Sequence, residues 1–204
     1  MHIVDGALST EVIAGGVVLA AAGIGYGLKH LEMEKIPAAG VLSATFFVAS
    51  LVHVPLGPSS VHLILNGVAG LVLGWAAVPT LFVGLLLQAV FFGYGGLTAL
   101  GVNTVVIALP AVLTFYVCRR GIASSSLKAA TMWGAFGGAL AIALTTAMVA
   151  LFLTLSGDEF IPVAKLVFVA HIPIMLIEGM LSGAAALLMI RVKPELFGTV
   201  SQGA

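Results

Sequence analysis

Long apolar runs separated by short polar breaks cover most of the chain. Seven such runs can be distinguished, near residues 8–28, 36–55, 61–78, 79–95, 104–118, 127–155 and 162–190. A membrane-spanning helix needs about 20 apolar residues, with a range of roughly 17 to 25. The pattern therefore predicts an all-α polytopic membrane protein with about seven transmembrane helices in a single domain, residues 1–204. Six or eight spans are the alternatives, because the third and fourth runs are separated only by residues 75–79 and the fifth is short.

The composition supports a membrane location. The 204 residues are 61% hydrophobic and only 8% charged, against roughly 25% charged in an ordinary soluble domain, and the mean hydropathy is +1.21. Too few polar residues are present to cover a soluble surface. The eight positive and eight negative residues cancel, so no basic field exists to hold a nucleic acid. The single Cys118 excludes an internal disulfide framework and a multi-cysteine metal cluster.

The positions of the charges predict an orientation. Lys and Arg stay preferentially on the cytoplasmic side of a membrane. With seven spans and the N-terminus outside, seven of the eight Lys and Arg residues fall in cytoplasmic segments and only Lys165 lies near the outer side. We therefore predict that the N-terminus is outside and the C-terminus is cytoplasmic. The outer segments are then the extreme N-terminus and residues 53–60, 94–103 and 156–161.

The first two residues form a potential metal chelate. A free Met1 amine, the His2 backbone amide nitrogen and an imidazole nitrogen of His2 can close a five-membered and a six-membered ring on one ion. Such a planar nitrogen set suits Ni(II) or Cu(II), with Co(II) a near neighbour. Residues 1–6 lack the positive charges of a signal peptide, and His2 is not a small residue, so we expect Met1 to remain the first residue. The alternative is that His2 is an accident of a frayed terminus.

Two further histidines belong to the same predicted outer end. His53 ends the second run, and His62 follows Ser59 and Ser60, either of which is expected to cap the third helix and place His62 in its first turns. A single histidine near a membrane interface is more often a hydrogen-bonded structural residue, but three histidines at one end favour a ligand site. A ligating ring donates its other N–H to an outer-shell acceptor. The candidates for support of the ligands or of the nearby loop are Asp5, His53, Ser60, Asn66, Thr98 and Asn103.

Other polar residues lie within the apolar runs or between them. The glycine-rich segment 94–104 is expected to fold into the mouth of the site, or else to form a tight turn between helices. Gln88, His171 and Glu178 are costly within a membrane and are expected to face the bundle interior. His171 and Glu178 share a helix face, so they suggest either an ion relay or structural hydrogen bonds between helices.

Three ordered motifs resemble those of the CbiM/NikM family, the substrate-binding subunits of energy-coupling-factor transporters for cobalt and nickel. They are Met-His-Ile-x-Asp-Gly at 1–6, Ser-Ser-Val-His-Leu at 59–63 and Tyr-Gly-Gly-Leu-Thr-x-Leu-Gly-Val-Asn-Thr at 94–104. The resemblance implies seven helices with the N-terminal segment inserted into the bundle from outside. It also implies metal ligation by the Met1 amine, the His2 amide and imidazole, and the imidazole of His62.

The resemblance further implies partners and a location. The expected partners are a transmembrane coupling subunit, two cytoplasmic ATPase subunits and often a small additional membrane subunit, in the inner membrane of a bacterium or archaeon. Co²⁺ or Ni²⁺ would be the transported substrate, with no organic cofactor. No ATP-binding motif is present, so the chain is not expected to be an enzyme.

The sequence is compatible with either ion and with two competing functions. Cobalt-type members of the family often carry Pro-Thr-Gly after the ligand histidine, whereas residues 63–67 here are Leu-Ile-Leu-Asn-Gly, which favours nickel. The competing hypotheses are an intramembrane hydrolase, using a serine or a His–Glu pair, and an autonomous ion-coupled transporter.

Overall fold

The computed structural model describes residues 2–51, 53–56, 58–123 and 126–197. These residues form eight α-helices and one β-hairpin. The helices are α1 Thr10–Lys29, α2 Ile36–Ala49, α3 Asn66–Leu73, α4 Ala77–Phe92, α5 Leu100–Ile122, α6 Leu127–Ser156, α7 Ile161–Ala170 and α8 Ile172–Val192. The antiparallel strands are β1 His53–Leu56 and β2 Ser59–His62. Short 3-10 segments lie at Met33–Lys35, Gly74–Ala76, Asp158–Phe160 and Pro194–Phe197.

The helices have the length and surface of a membrane bundle. Five described segments are long and apolar enough to cross a membrane: Thr10–Lys29, Asn66–Phe92, Leu100–Ile122, Leu127–Ser156 and Ile172–Val192. Large apolar side chains cover the outside of the bundle, as at Val18 (67% exposed) and Leu176 (68% exposed), which is typical of lipid-facing surfaces. The prediction of an all-helical polytopic membrane protein is confirmed. Seven spans and an outer N-terminus stay predictions.

Helix α3 lies in the centre of the bundle. All eight of its residues are buried. Its Gly70 packs so closely on α5 that a Cβ atom there would overlap the Ala111 carbonyl, and Gly74 at the end of α3 lies against Phe115, one turn further along α5. Helices α3 and α5 therefore run in the same direction, and only glycine permits their closest approach.

Helix α4 returns in the opposite direction. At its start, Pro79 packs against Gly27 near the end of α1, while near its other end Gln88 reaches His2 beside the N-terminus. The segment from Asn66 to Phe92 is therefore two antiparallel helices joined at Gly74–Ala76, and the predicted division at residues 75–79 is in the right place. This turn brings the start of α3 and the end of α4 to the same end of the bundle.

The β-hairpin corrects two predicted helices. The run at 36–55 is helical only to Ala49, and the run at 61–78 becomes helical only at Asn66, because β1 and β2 pair between them with His53 opposite His62. Pro55 and Pro58 lack the N–H group that a helix needs. Consequently the predicted capping of a helix by Ser59 or Ser60 is wrong, since both residues lie in β2.

The last predicted helix, at 162–190, is also divided. Helix α7 ends at Ala170 and α8 begins at Ile172, with His171 between them. Pro173 at the start of α8 has no N–H to donate to the carbonyl one turn earlier, which interrupts the helical hydrogen bonds. The remaining predicted helices agree with α1, α4, α5 and α6 to within four residues at each end.

Small residues hold α1 to the bundle. A Cβ atom at Gly16 would overlap Val102 of α5, and one at Gly27 would overlap Pro79 and the Trp75 carbonyl. Close approach at small residues is a common means of packing helices in lipid. These two glycines of α1 therefore face the interior, where the helix packs on α4 and α5.

Candidate metal site

The N-terminal segment, residues 2–9 before α1, is inserted into one end of the bundle. The Ile3 N–H donates to the Asn103 side-chain oxygen (2.8 Å), and the Asn103 amide donates back to the Ile3 carbonyl (3.0 Å). The Ile3 side chain is completely buried, and the Val4 N–H donates to the Pro58 carbonyl of the hairpin. This double hydrogen bond to α5 fixes the position of the neighbouring residue, His2.

His2 and His62 lie together at the centre of the candidate site. Their rings stack with centroids 4.7 Å apart and planes inclined by 25°, and each residue is only 3% exposed. The inserted segment carries His2, while the end of β2 carries His62. Residues 60 positions apart are thus brought into contact by the N-terminal insertion and the hairpin together.

Hydrogen bonds select the free nitrogen of each ring. The Nδ1 atom of His62 lies 2.7 Å from the Leu63 carbonyl; a carbonyl only accepts, so Nδ1 carries the proton and Nε2 keeps its lone pair. That Nε2 is buried without a hydrogen-bond partner among the described residues. In His2 the arrangement is reversed, because Nε2 lies 2.5 Å from the Gln88 side-chain oxygen. The lone pair of His2 is therefore on Nδ1, the nitrogen that can close a six-membered ring with its own amide.

Burial keeps both imidazoles neutral. Desolvation lowers the pKa of His2 from 6.5 to about 4, although its hydrogen bond with Gln88 partly opposes this shift. Burial likewise lowers the pKa of His62 to about 4, opposed by the hydrogen bond with Leu63. At neutral pH both rings therefore present lone pairs without a competing proton, as a metal-binding imidazole must.

The glycine-rich loop folds against the N-terminal segment. The Asp5 carboxylate accepts hydrogen bonds from Thr98 N–H (3.1 Å), the Thr98 hydroxyl (2.5 Å) and Ala99 N–H (3.0 Å). Asp5 thereby occupies the N-terminus of α5, where unsatisfied N–H groups favour a negative charge. Gly96 has φ +73°, and a Cβ atom there would overlap the Asp5 carboxylate. The loop therefore packs on the segment that carries His2, and its position at the mouth of a metal site stays a prediction.

His53 and Ser60 lie beside the histidine pair. They line a small cavity of about 120 Å³ that His2 and Tyr94 also border. The His53 ring packs edge-on against Tyr94 with centroids 4.3 Å apart, and its Nδ1 has no hydrogen-bond partner among the described residues. Both predicted supporting residues are therefore near the pair, next to a space large enough for a few water molecules.

Asn66 does not support a histidine ring. Its side-chain amide donates to the Ile107 carbonyl (2.8 Å) and to the Thr145 hydroxyl (2.9 Å). The side chain points into the bundle because Asn66 begins the buried helix α3, so it connects α3 with α5 and α6. The predicted role of Asn66 as an outer-shell acceptor is wrong. Of the other predicted supports, Asp5, Thr98 and Asn103 act on the N-terminal segment and the loop.

Glu178 holds the backbone that follows His62. Its carboxylate accepts hydrogen bonds from Ile64 N–H (2.5 Å) and Leu65 N–H (2.9 Å). Leu65 has φ +56°, an uncommon conformation for a residue with a side chain. Glu178 thus stabilises a strained turn at the start of α3, which supports the structural interpretation over an ion relay. Glu178 and Gln88 stand out in the sequence as polar residues in apolar helices, but no local pattern places either of them beside the site.

The predicted donors are not all side chains. Met1 lies outside the described residues. Within the described part of the chain, no group of three or more His, Cys, Asp or Glu side chains could hold a metal ion. The predicted site needs only two imidazoles, because its other donors are an amine and a backbone amide. Ligation by Met1, His2 and His62 therefore stays a prediction.

The fold and the site define a multi-pass helical membrane protein with two buried, neutral imidazoles at one end, and comparison with known proteins gives its family. Residues 2–196 match CbiM, the "Cobalt uptake substrate-specific transmembrane region". A "Putative metal transport protein" of Haemophilus influenzae is 40% identical over 198 residues, covering 96% of both chains. The chain therefore belongs to the CbiM family, a family of membrane components of cobalt and nickel transport.

Other relatives carry names for both metals. The "Cobalt transport protein CbiM" of Sorangium cellulosum is 30% identical over 96% of this chain and 94% of its own. The "Fused nickel transport protein NikMN" of Rhodobacter capsulatus is 34% identical over 72% of this chain, which corresponds to 46% of that longer protein. A "Truncated Transition metal Transporter" of known crystal structure shares the fold, with a TM-score of 0.71 and 24% identity over 96% of this chain and 99% of that chain.

Proposed function

We propose that this protein is the metal-capturing membrane subunit of an ATP-driven importer for Ni²⁺ or Co²⁺. The observation that carries the proposal is the insertion of the N-terminal segment, which places His2 against His62 in a buried, neutral pair. The proposed donors are the Met1 amine, the His2 amide nitrogen, His2 Nδ1 and His62 Nε2, arranged in a square plane.

The distance between the two rings supports neighbouring positions on one ion. A nitrogen-bound imidazole places its ring centre roughly 3 Å from the metal, since the metal–nitrogen bond is about 2 Å. Two rings at right angles about the ion then have centres about 4.2 Å apart, whereas two rings on opposite sides would be about 6 Å apart. The observed separation is 4.7 Å. It fits a plane in which His62 binds next to the His2 imidazole and opposite the His2 amide.

The donor chemistry favours a transition metal. Four nitrogens in a plane suit Ni(II), Cu(II) and Co(II), whereas Ca²⁺ and Mg²⁺ prefer oxygen ligands. Relatives are named for nickel transport and for cobalt transport, so both ions are candidate cargo. We favour nickel, because Leu63–Gly67 lacks the Pro-Thr-Gly that often follows the ligand histidine in cobalt-type members.

The energy for uptake would come from other subunits. The chain has no phosphate-binding loop motif. We therefore propose a complex with a transmembrane coupling subunit, two cytoplasmic ATPase subunits and a small additional membrane subunit. The complex would lie in the inner membrane of a bacterium or archaeon, with the N-terminus of this chain outside to receive the ion.

Metal uptake by whole cells tests the proposal. Cells that produce the chain with its partner subunits should accumulate Ni²⁺ or Co²⁺, and His2→Ala or His62→Ala should reduce accumulation to background. His30→Ala is a matched control, because His30 is an exposed histidine at the opposite end of α1 whose ring hydrogen-bonds to the local Tyr26 carbonyl. Undiminished uptake by either site variant would contradict the proposal. Uptake without the ATPase subunits would instead indicate an autonomous transporter.

A further inference from the structure

We propose that Gln88 is a positioning residue, which holds His2 in the one tautomer that can close the metal chelate. This inference rests on the proposed N-terminal chelate and adds a residue to its machinery. Gln88 lies in the apolar helix α4 and is fully buried. Its side-chain oxygen lies 2.5 Å from Nε2 of His2.

The two partners are held in place independently of each other. The double hydrogen bond between Ile3 and Asn103 fixes the segment that carries His2. Helix α4 is fixed by close packing, because a Cβ atom at Gly84, one turn before Gln88, would overlap the Phe46 ring of α2. The packing of α4 therefore sets the position of the Gln88 oxygen, independently of the orientation of the His2 imidazole.

The tautomer matters because the chelate uses one specific nitrogen. A neutral imidazole carries one proton, on either Nδ1 or Nε2. The six-membered ring formed with the His2 amide requires the lone pair on Nδ1, so the proton must be on Nε2. A carboxamide oxygen only accepts hydrogen bonds, and its contact with Nε2 therefore favours the chelating tautomer and disfavours the other.

Within the described part of the chain, His2 is the hydrogen-bond partner found for the Gln88 side chain. Among the described residues, the Gln88 amide nitrogen has no hydrogen-bond partner although it is buried. A buried polar group with unsatisfied hydrogen-bonding capacity is costly, and an apolar residue would serve packing in α4 better. An acceptor on the N–H of a ligating imidazole, by contrast, orients the ring and raises the basicity of the ligating nitrogen.

Three substitutions and a control test the inference in the purified full chain with an unmodified N-terminus, with Ni²⁺ alone as the probe. Gln88→Leu removes the acceptor, and Gln88→Asn retracts it by one methylene. Both should weaken Ni²⁺ binding by roughly 10- to 100-fold, the usual effect of losing an outer-shell partner. Gln88→Glu keeps an acceptor at the same reach and should remain within a few-fold of the native affinity. Thr80→Val removes a buried α4 hydroxyl that donates to the Ala76 carbonyl just before the helix, and should bind like the native chain.

Two spectroscopic measurements separate positioning from a general packing effect. In the metal-free protein, ¹⁵N NMR of the imidazole nitrogens should show His2 protonated on Nε2, and Gln88→Leu should turn this into a mixture of tautomers. At saturating Ni²⁺ the visible absorption of Gln88→Leu should match that of the native protein, because the four ligands are unchanged.

The outcomes distinguish the inference from the proposed function. A native affinity in folded Gln88→Leu or Gln88→Asn would overturn the role of Gln88. So would a Gln88→Glu protein that folds but binds as weakly as Gln88→Asn. Failure of the native chain itself to bind either Ni²⁺ or Co²⁺ would instead contradict the proposed function.

Discussion

His2 and His62 differ from ordinary surface histidines in being uncharged well below neutral pH. Burial holds the pKa of each at about 4. In the proposed site the protons released on binding therefore come from elsewhere, namely from the Met1 ammonium group and from the His2 amide. The terminal ammonium has an ordinary pKa of about 8, and the amide is protonated at all physiological pH values.

Metal affinity should fall as the pH falls, with a slope set by two protons. Each proton released on binding changes the apparent dissociation constant about tenfold per pH unit. We expect about a 100-fold weakening per unit below about pH 7, since the amine and the amide each release one proton. Isothermal titration in buffers of different ionisation enthalpy at about pH 6 measures the number directly. A value near four would show that both histidines titrate as well, contrary to their low pKa values.

At the scale of elements, the glycine-rich loop and the N-terminal segment act as one unit. Gly93 and Gly96 provide a matched comparison, because both have positive φ (+68° and +73°). A Cβ atom at Gly93 meets nothing within 4 Å, whereas one at Gly96 overlaps the Asp5 carboxylate. Both alanine substitutions carry the backbone strain of roughly 1–2 kcal/mol, but only Gly96→Ala also displaces Asp5.

Gly96→Ala should therefore weaken Ni²⁺ binding by about tenfold or more. A tenfold loss of affinity corresponds to about 1.4 kcal/mol of binding free energy, which displacement of Asp5 is expected to cost. Gly93→Ala should bind with nearly native affinity while losing some thermal stability. Equilibrium competition against a chelator of known affinity measures both. Equal affinities of the two variants would show that the contact between the loop and Asp5 does not position the metal donors.

The start of α3 depends on a carboxylate that is 114 residues away in sequence. Glu178→Leu should destabilise the fold, because the N–H groups of Ile64 and Leu65 lose their acceptor in a buried turn. Each buried unsatisfied group costs about 1–3 kcal/mol, so we expect a loss of several kcal/mol in the free energy of unfolding. Ser182→Ala is the control one turn along α8, since the buried Ser182 hydroxyl has no hydrogen-bond partner among the described residues. Thermal unfolding in detergent compares the two, and similar midpoints would contradict the capping role of Glu178.

Elements that depend on local sequence could be predicted, whereas elements that depend on tertiary contacts could not. Helices such as α1 and α6 were predicted because lipid requires long local runs of apolar residues. The hairpin was missed because residues 53–56 look like the end of an apolar helix, and the pairing of β1 with β2 is a tertiary contact. His2 and His62 could be predicted as candidate metal ligands from the chemistry of imidazole. The bond of Gln88 to His2 could not, because it joins residues 86 apart in sequence.

At the scale of the whole molecule, the bundle presents its chemistry at one end. The inserted N-terminal segment, the hairpin, the glycine-rich loop and the start of α3 converge there, while Arg119 and Arg120 lie in the last turn of α5 at the other end. With α5 running away from the site, the positive charges and the nitrogen donors are at opposite ends of that helix. This separation is consistent with the predicted orientation, in which the donors face outward and the arginines face the cytoplasm.

The central claim is that the N-terminal amine of this chain is a metal ligand, and blocking that amine tests it most directly. The purified protein with an unmodified N-terminus should bind Ni²⁺ or Co²⁺ at one ion per chain, and Ni²⁺ should give the visible absorption of a planar nitrogen site. The same protein carrying one extra residue before Met1, or an acetylated amine, should retain its fold and lose this site. Equal binding by the native and blocked proteins, with the same absorption, would contradict the account.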